Sequence, residues 1–267
     1  MEASSLVPLP PRLSAVEACA AAVREAILRG ELGEGSRLPP ERALSERLGV
    51  NRTTLRAALR ELESGGLLRV KQGSGYVVRA WRESAGPGLV PDLVVEARAR
   101  GELVPLCADL LDVRRRLAAA VLERLERRAH RAEALAALDE RVRRFVSLAE
   151  QAPPATSAAL AAADVEILHA LVGLSGSSVL GLFLNPVLGV LGALPELRDA
   201  IYAEPLGNAE GYRALMAHLY ARAEGDTTLA MSPAELGALL ELRDRETLAR
   251  LEARVRGELR TSRGEPR

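Results

Sequence analysis

The stretch GVNRTTLRAALRELESGGLLRVKQGSGYVV, residues 49–78, carries the strongest structural signal in this chain. Three leucines within it recur at spacings of four and three: Leu55, Leu59 and Leu62. Three arginines recur at spacings of four on another face: Arg52, Arg56 and Arg60. This double periodicity predicts an amphipathic helix over 52–64, with Asn51 as its N-cap and Gly65-Gly66 at its end. One face of the helix would pack inward, and the other would present a row of guanidinium groups.

The elements on either side complete a small motif. Helical spacing covers 14–29, and a short second helix is predicted to open at Pro40 and to stop at Gly49. After the amphipathic helix, LLRV and GYVVRA are β-rich runs separated by a turn that contains Gly73. Three helices followed by a hairpin are the layout of a winged helix-turn-helix.

The row of arginines suits a partner that carries negative charge. Arginine can bind guanine with two hydrogen bonds, and Thr53 and Thr54 add short hydrogen-bonding side chains in the first turn. Residues 42–79 hold eight Arg or Lys side chains and only three Glu, although the formal net charge of the whole chain is +0. Taken alone, such a helix is more often a solvated amphipathic helix with surface arginines. The short helix before it and the hairpin after it favour a DNA-reading helix.

These residues also resemble a known family. The stretch GEGSRLPPERALSERLGVNRTTLRAALRELESGGLLRVKQGSGYVV, residues 33–78, is similar to the DNA-binding domain of GntR-type transcriptional regulators. The matching residues are Leu38-Pro39, Glu41-Arg42, Leu44, Leu48-Gly49-Val50, Arg52-Thr53-Thr54-Leu55-Arg56, Ala58-Leu59, Leu62, Gly66 and Gly73. Pro40 departs from the family, which usually has a small residue there. Because proline can open a helix, this departure should be harmless.

The resemblance implies roles for the residues at matching positions. It implies that three arginines contact DNA bases or phosphates: Arg42, Arg52 and Arg56. It implies that three residues at the start of the recognition helix bind phosphates: Asn51, Thr53 and Thr54. It implies that two residues of the wing reach the minor groove: Gln72 and Gly73. Structural alternatives stay open, since Asn51 can serve only as a cap, Gly73 only as a turn residue and Arg42 only as a solvated helix residue.

The rest of the chain is predicted to be helical. Residues 81–88, WRESAGPG, have the composition of a linker, and no strand signal follows from Leu89 onward. Helical spacing covers seven ranges: 89–100, 103–128, 131–150, 155–173, 176–203, 208–224 and 232–260. Pro186 and Pro195 should bend or split the fifth of these helices.

Together these patterns predict a mainly α chain with two domains. The predicted parts are a disordered N-terminus (1–13), a winged helix-turn-helix DNA-binding domain (14–80), a linker (81–88), an all-helical effector-binding and dimerisation domain (89–260) and a disordered tail (261–267). We expect the all-helical domain to be an antiparallel bundle of six or seven helices.

Composition argues against several classes of protein. Cys19 and Cys107 form no CxxC pair, so we expect neither a disulfide framework nor a zinc knuckle, and a reducing cytoplasm fits. The N-terminus lacks the basic start and the apolar core of a signal peptide. The most apolar stretch, 168–194, is broken by Gly, Ser, Asn185 and Pro186. We therefore expect a cytoplasmic, nucleoid-associated protein without a membrane span.

The helical half resembles the FadR subfamily of the same regulators, whose effector domain is an antiparallel bundle. The supporting stretches are LLDVRRRLAAAVLERL (110–125), DVEILHALVGLSGSSVLGLFLN (164–185) and IYAEP (201–205). Many effector domains of this subfamily hold a divalent metal through an aspartate and three histidines, the first two spaced Asp-x3-His. In this chain Asp164 and His169 are five residues apart, so they point about 140° apart on a helix.

The other positions of that metal pattern also lack histidine. Leu168 stands four residues after Asp164, Tyr212 stands where the histidine of the next helix is expected, and His218 comes six residues later. The last helix contains no histidine. Because one carboxylate with no imidazole on the same face binds a transition metal poorly, we expect no metal. His130 lies in a charged stretch and is expected to be exposed, and Asp164 is left without a predicted role.

Metal-free members of the subfamily include a fatty-acid regulator that binds long-chain acyl-CoA, and this chain is similar to that branch at Asp164-x-x-Ile167-Leu168, GLFLN and Tyr202-Ala203-x-Pro205. The resemblance implies that Arg114 meets the CoA portion. Glycines in 181–192 would leave room between helices, and apolar side chains that include Phe183 would line the pocket. Four residues are predicted to bind the ligand: Arg114, Leu184, Tyr202 and Tyr212. The alternative is close helix packing through the glycines.

The combined prediction is a ligand-responsive transcriptional regulator, a homodimer that reads a pseudo-palindromic operator. Its effector would be a fatty acyl-CoA or another small organic ligand. We predict no catalytic residue, because no Ser/His/Asp grouping or phosphate loop is visible and the only lysine, Lys71, lies in the wing. Two alternatives stay open: a metal-dependent, organic-acid-sensing regulator of the same subfamily, and an enzyme with an appended DNA-binding module.

Overall fold

The computed structural model describes residues 14–73, 75–128, 130–152, 155–225 and 233–262. The chain forms two compact units, one ending at Glu96 and the other beginning at Ala97. The predicted disordered N-terminus, 1–13, lies outside the described residues. Most of the predicted tail, 263–267, also lies outside them, whereas residues 261 and 262 close the last helix.

The first unit is built from short helices and a β-hairpin. In chain order its elements are α1 (Ala15–Leu28), α2 (Glu41–Leu48), α3 (Arg52–Ser64), β1 (Leu68–Lys71), β2 (Gly75–Val78), α4 (Trp81–Ser84), a 3₁₀ turn (Pro87–Leu89) and α5 (Val90–Arg100), which extends past the boundary at Glu96. The order of helices and hairpin confirms the predicted winged helix-turn-helix. Its core joins the leucines of α3 to the buried side of α1, which carries Ala20, Val23 and Ile27.

The start of α3 is set by local chemistry. Asn51 has an extended backbone, and its side-chain oxygen accepts a hydrogen bond from the backbone N–H of Thr54 at 2.8 Å. Gly49 adopts the left-handed conformation, with φ 64°, that ends α2. Pro40 precedes α2 instead of opening it, because the helix begins at Glu41. The predicted inner face of α3 is buried: Leu55, Leu59 and Leu62.

The hairpin forms the wing of this unit. β1 and β2 pair in antiparallel fashion, with Leu68 opposite Val78. Gly73 and Gly75 have φ values of 72° and 77°, which explains why glycine occupies these two positions around the turn. Arg37 makes an isolated bridge to β2, so the loop before α2 extends the sheet.

The segment predicted as a linker, 81–88, instead belongs to the first unit. Trp81–Ser84 is helical, and Leu89 at the end of the 3₁₀ turn is buried in the same core as the α3 leucines. The hydroxyl of Ser84 donates a hydrogen bond to the backbone oxygen of Gly66 at 2.7 Å. Linkers and compact turns share a composition rich in Gly, Pro and Ser, so the packing of the segment, which composition does not reveal, decides between them.

Ion pairs fix the start of α5 against α1. Arg24 Nη1 lies 2.9 Å from Asp92 Oδ1, and Arg29 Nε lies 3.4 Å from the buried Glu96 Oε2. The first unit therefore continues beyond residue 80, where the sequence prediction ended it, as far as Glu96.

The second unit is helical. Its elements are α6 (Leu103–Glu126), α7 (Ala132–Ala149), α8 (Ser157–Ser175), α9 (Ser178–Ala193), α10 (Pro195–Ile201), α11 (Pro205–Ala223) and α12 (Pro233–Ser262). This content confirms the mainly α fold with a helical C-terminal domain. Pro195 splits the predicted helix 176–203, whereas Pro186 lies inside α9. α11 begins at Pro205, earlier than predicted, because proline suits the first turn of a helix.

Helix α8 packs against three other helices of the second unit. By length and composition it could cross a membrane, a property that core helices of water-soluble proteins share. It packs against α6, α7 and α9 through residues that include Leu160, Ile167 and Leu171, and its other side exposes Glu166 and His169. Only 28% of its most apolar stretch is buried inside this unit.

Candidate functional site

The N-terminal part of α3 presents an exposed, basic surface. Arg52, Arg56 and Arg60 all lie on the exposed side of the helix. Arg52 is the first residue of α3, and the first turn contains no acidic residue. A cation at this end is unfavourable for the helix itself, because the N-terminus carries a partial positive charge. The arrangement suits an external anion, which the free backbone N–H groups and the guanidinium would both stabilise.

Glutamates of α2 pair with two of the predicted DNA-contact arginines. Arg56 Nε lies 2.8 Å from Glu41 Oε2, and Arg42 Nε lies 3.0 Å from Glu46 Oε1. Exposed pairs of this kind contribute about 0–1 kcal/mol, so a phosphate can replace the glutamate at small cost. Arg52 makes no hydrogen bond or ion pair with any residue that the structure describes.

The other predicted contact residues also keep accessible surface. Asn51 and Thr53 are exposed and Thr54 is half-buried. The oxygen of the Asn51 side chain caps α3, which leaves its amide nitrogen free to donate to another group. Gln72 and Gly73 are exposed in the wing. The structure therefore places all of these residues where a duplex can reach them, and their contacts with DNA stay a prediction.

The second unit encloses a cavity of about 170 Å³, here called the bundle cavity, between α6, α8, α9, α11 and α12. One side of it is apolar and includes Leu168, Leu171, Val172, Leu184, Leu188 and Ile201. The other side is polar and includes Arg114, Asp164, Tyr212, Arg243, Asp244 and Thr247. A cavity with one apolar and one charged side suits an amphiphilic ligand.

Asp164 lies on the wall of the bundle cavity and is held by two tyrosines. The Tyr202 hydroxyl donates to Oδ2 at 2.6 Å, and the Tyr212 hydroxyl donates to Oδ1. Burial raises the pKa of the Asp164 carboxyl, and the hydrogen bonds from the tyrosines offset only part of this effect. Burial and the neighbouring carboxylate raise the pKa of both tyrosines, so both hydroxyl groups keep their protons.

The arginines of the cavity differ in their partners. Arg114 Nη2 donates to Asp244 Oδ1 at 2.6 Å, and both side chains are largely buried. Arg243 is half-buried and makes no hydrogen bond or ion pair with the described residues. Burial and the nearby charge of Arg114 lower the pKa of Arg243. Within the described ranges no carboxylate lies within ion-pair distance of Arg243, although the charges of Glu246 and Asp164 act on it. Such a guanidinium, beside a second arginine, is suited to the anionic group of a ligand.

The structure brings together three of the four predicted ligand residues. Arg114, Leu184 and Tyr212 line the bundle cavity, whereas Tyr202 lies behind it and holds Asp164. The expectation that Phe183 lines the pocket is wrong, because its side chain is 53% exposed. Consecutive helical residues point about 100° apart, so the buried position of Leu184 turns Phe183 outward.

Sequence reasoning missed the contribution of α12. Arg243, Thr247 and Arg250 recur at spacings of four and three and all line the bundle cavity. A polar stripe at helical spacing is the signal that could have identified them. The sequence interpretation considered this helix only as a source of histidine ligands. The absence of histidine gives no information about a polar stripe.

The residues around Asp164 do not fit the metal site of the metal-binding branch. Both carboxylate oxygens accept hydrogen bonds from phenols that keep their protons. His169 is exposed, and His218 lines a different cavity. Within the described ranges, no three His, Cys, Asp or Glu side chains are grouped so as to hold a metal ion.

Comparison with known proteins identifies the winged helix-turn-helix part of the first unit. The family model described as bacterial regulatory proteins, gntR family, matches residues 15–78. This match begins with α1 and ends with β2.

Relatives extend the similarity into the helical unit. An uncharacterised HTH-type transcriptional regulator of Mycobacterium tuberculosis is 39% identical over 184 residues, which cover 68% of this chain and 70% of that protein. A fatty acid metabolism regulator protein of Cronobacter sakazakii is 34% identical over 167 residues, which cover 62% of this chain and 64% of that protein. The second match thus spans slightly less than two thirds of the relative.

One solved structure is similar over nearly the whole chain. It belongs to work on Lar, which controls the expression of the Listeria monocytogenes agr system, and the TM-score is 0.53. The match covers 91% of this chain and 99% of that chain at 14% identity, a level at which the likeness concerns the fold alone.

Proposed function

Because this chain belongs to the GntR family of bacterial regulatory proteins, and is thus a DNA-binding transcriptional regulator, we propose that it acts as a ligand-responsive homodimer on a pseudo-palindromic operator. Each protomer would contribute one α3 to the major groove of one half-site, and the dimer would set the half-site spacing. The ligand would bind in the helical unit and change the affinity for the operator.

DNA binding is supported by the exposed row of Arg52, Arg56 and Arg60, which lies on a helix whose opposite face is buried. With the Asn51 cap and the first-turn threonines, this surface has the chemistry for phosphate and guanine contacts. Arg42, Gln72 and Gly73 would extend it to the neighbouring backbone and to the minor groove.

Arg56→Ala tests this assignment. We expect the variant to lose the shift of a duplex selected by the wild-type protein from random DNA, while its dimer mass in light scattering stays unchanged. Arg143→Ala is the matched control, since it removes an equally charged, exposed arginine from α7. Wild-type affinity in Arg56→Ala would contradict the recognition-helix assignment.

For the effector we propose a fatty acyl-CoA or another small organic anion with an apolar part. The support is the bundle cavity, in which apolar residues face Arg114 and Arg243, and Arg243 makes no ion pair with a residue that the structure describes. The similarity to a fatty acid metabolism regulator also supports this class of effector. Leu184 would contact the apolar part, Tyr212 would shape the polar side, and Tyr202 would hold Asp164 in place.

Hexadecanoyl-CoA is a suitable first probe. In isothermal titration we expect binding to the full-length protein, with about tenfold weaker binding by Arg243→Gln. Arg245→Gln is the control, because Arg245 lies on the same helix but is exposed and paired with Glu241. Lack of binding, together with a small carboxylate in native mass spectra of the purified protein, would support the organic-acid branch instead.

We propose a regulator that needs no metal, and stoichiometric zinc or nickel in elemental analysis of the purified protein would contradict this. We propose no catalytic activity, and we propose that the protein works in the cytoplasm at the nucleoid, without a membrane anchor. An enzyme with an appended DNA-binding module is the less favoured candidate, because no catalytic grouping was found in the sequence.

A further inference from the structure

A second cavity, of about 280 Å³, lies between α6, α11 and α12 and is here called the His218 groove. Its apolar lining consists of Leu122, Leu125, Leu215, Leu219, Leu239 and Leu240. Its polar lining consists of Glu126, Glu210, His218 and Arg243. Leu239 is largely exposed and therefore lies where the groove opens to the surface.

His218 is the unusual residue of this groove. Its side chain is only 9% exposed, and neither ring nitrogen has a hydrogen-bond partner among the described residues. Nε2 lies 3.8 Å from Glu126 Oε1, which is too long for a hydrogen bond. Because a buried polar group without a partner is costly, the imidazole requires a partner that the described part of the chain does not supply.

The groove adjoins the bundle cavity. Both are lined by Leu122, Gly211, Leu215, Leu240 and Arg243. Gly211, which lines both, is exposed, and a Cβ atom added there would meet no atom within 4 Å. One elongated ligand can therefore occupy both, with its anionic group near Arg243.

We infer that the His218 groove is a second recognition lobe of the effector site. The inference rests on the proposed function, and it states that the effector carries an uncharged hydrogen-bonding group in addition to its anionic group. Neutral imidazole donates from one nitrogen and accepts at the other, so an amide, a hydroxyl or a carbonyl group meets its needs. The leucines of the groove pack against the apolar atoms on either side of that group.

The hydrogen-bonding requirement of His218 distinguishes two classes of ligand that would both fit the bundle cavity. A free fatty acid offers a carboxylate and an apolar chain, and it leaves His218 without a partner. An acyl thioester that bears amide groups supplies one. A metal ion fits less well, because within the described residues only Glu126 lies close enough to share it with His218.

The test compares hexadecanoyl-CoA with hexadecanoic acid, each titrated into the full-length protein. We expect His218→Leu to weaken binding of the thioester about tenfold and to leave binding of the free acid within about twofold. His218→Gln, which keeps a donor and an acceptor, should restore much of the affinity. Equal losses for both ligands, or no loss for either, would overturn the inference while leaving the proposed effector class intact. If the wild-type protein binds neither probe, the proposed effector class fails first and the inference fails with it.

A second pair of variants leaves the buried imidazole in place. Ala214 lies on the exposed lining of the groove, so Ala214→Leu narrows the groove without removing a polar group, whereas Ala217→Leu adds the same atoms elsewhere on α11. Only Ala214→Leu should weaken thioester binding. The chain has three histidines, so imidazole ¹⁵N spectra can identify His218 by its loss in His218→Leu. Its resonances should move with the thioester and not with the free acid, and the opposite result would contradict the inference.

Discussion

The phenolic oxygen of Tyr202 lies 2.6 Å from Oδ2 of Asp164, and Tyr212 donates to the other oxygen of the same carboxylate. Asp164 belongs to α8, Tyr202 ends α10 and Tyr212 lies in α11. The Phe145 ring of α7 packs edge-on against Tyr212, with 5.5 Å between the ring centroids. A carboxylate to which the sequence assigned no role therefore joins three helical segments at the wall of the bundle cavity.

Asp164→Asn should change how stability depends on pH. The raised pKa means that the folded chain binds more protons than the unfolded chain between pH 3.8 and the folded-state pKa. The contribution of Asp164 to the free energy of unfolding therefore falls as pH rises through this window and stays low above it. Asparagine does not ionise, so the stability of the variant relative to wild type should rise with pH.

Urea denaturation of both proteins at several values between pH 4 and pH 8 measures this difference. The other acidic groups are the same in the two proteins and cancel in the comparison. The stability of Asp164→Asn relative to wild type could instead stay constant or fall as pH rises. Either result would show that ionisation of Asp164 does not destabilise the folded chain.

Tyr212→Phe should destabilise the second unit by about 1–2 kcal/mol, because a buried carboxylate loses one donor while the ring contact with Phe145 is kept. Tyr220→Phe is the control on the same helix, since the Tyr220 hydroxyl makes no hydrogen bond with the described residues. We expect Tyr220→Phe to change the free energy of unfolding by no more than about 0.5 kcal/mol. Thermal and urea unfolding of the two variants compare these values, and equal effects would argue against the hydrogen bond.

Gly66→Ala should destabilise the first unit by about 2–4 kcal/mol. Gly66 has φ +80°, and a Cβ atom there would overlap the backbone carbonyl group of Ser84. Gly30→Ala is the matched control, because Gly30 has a similar φ of +77° but open space at the Cβ position. The difference between the unfolding free energies of the two variants measures the energetic cost of the steric overlap at residue 66. Similar losses in the two variants would mean that α4 does not pack on Gly66.

Arg52→Ala should reduce the salt dependence of operator binding. If the guanidinium neutralises one phosphate, the slope of log K against log salt concentration should become shallower by about 1. Fluorescence anisotropy at salt concentrations from roughly 50 to 200 mM measures the slope. Arg143→Ala should leave it unchanged. An unaltered slope in Arg52→Ala would remove this residue from the phosphate contacts.

The N-terminal part of the fold could be predicted because its signals are local. The N-cap Asn51, the buried leucines of α3 and the left-handed Gly49 each act within a few residues along the chain. The missed element was the segment 81–88, whose helical turn depends on contact with Gly66 and on burial of Leu89. Those contacts join residues that are distant in sequence, so composition alone suggested a linker.

Local sequence patterns were enough to predict the winged helix-turn-helix, the helical character of the second unit and the exposed arginines of α3, because helix spacing and capping are short-range properties. Packing between helices determines which residues meet at Asp164. It also determines that, among the residues the structure describes, Arg243 has no ion-pair partner and the buried His218 has no hydrogen-bond partner. The physical reason is that burial and pairing depend on how helices far apart in sequence pack together. The periodicity of one helix shows which side is apolar but not which residue from another helix lies opposite it.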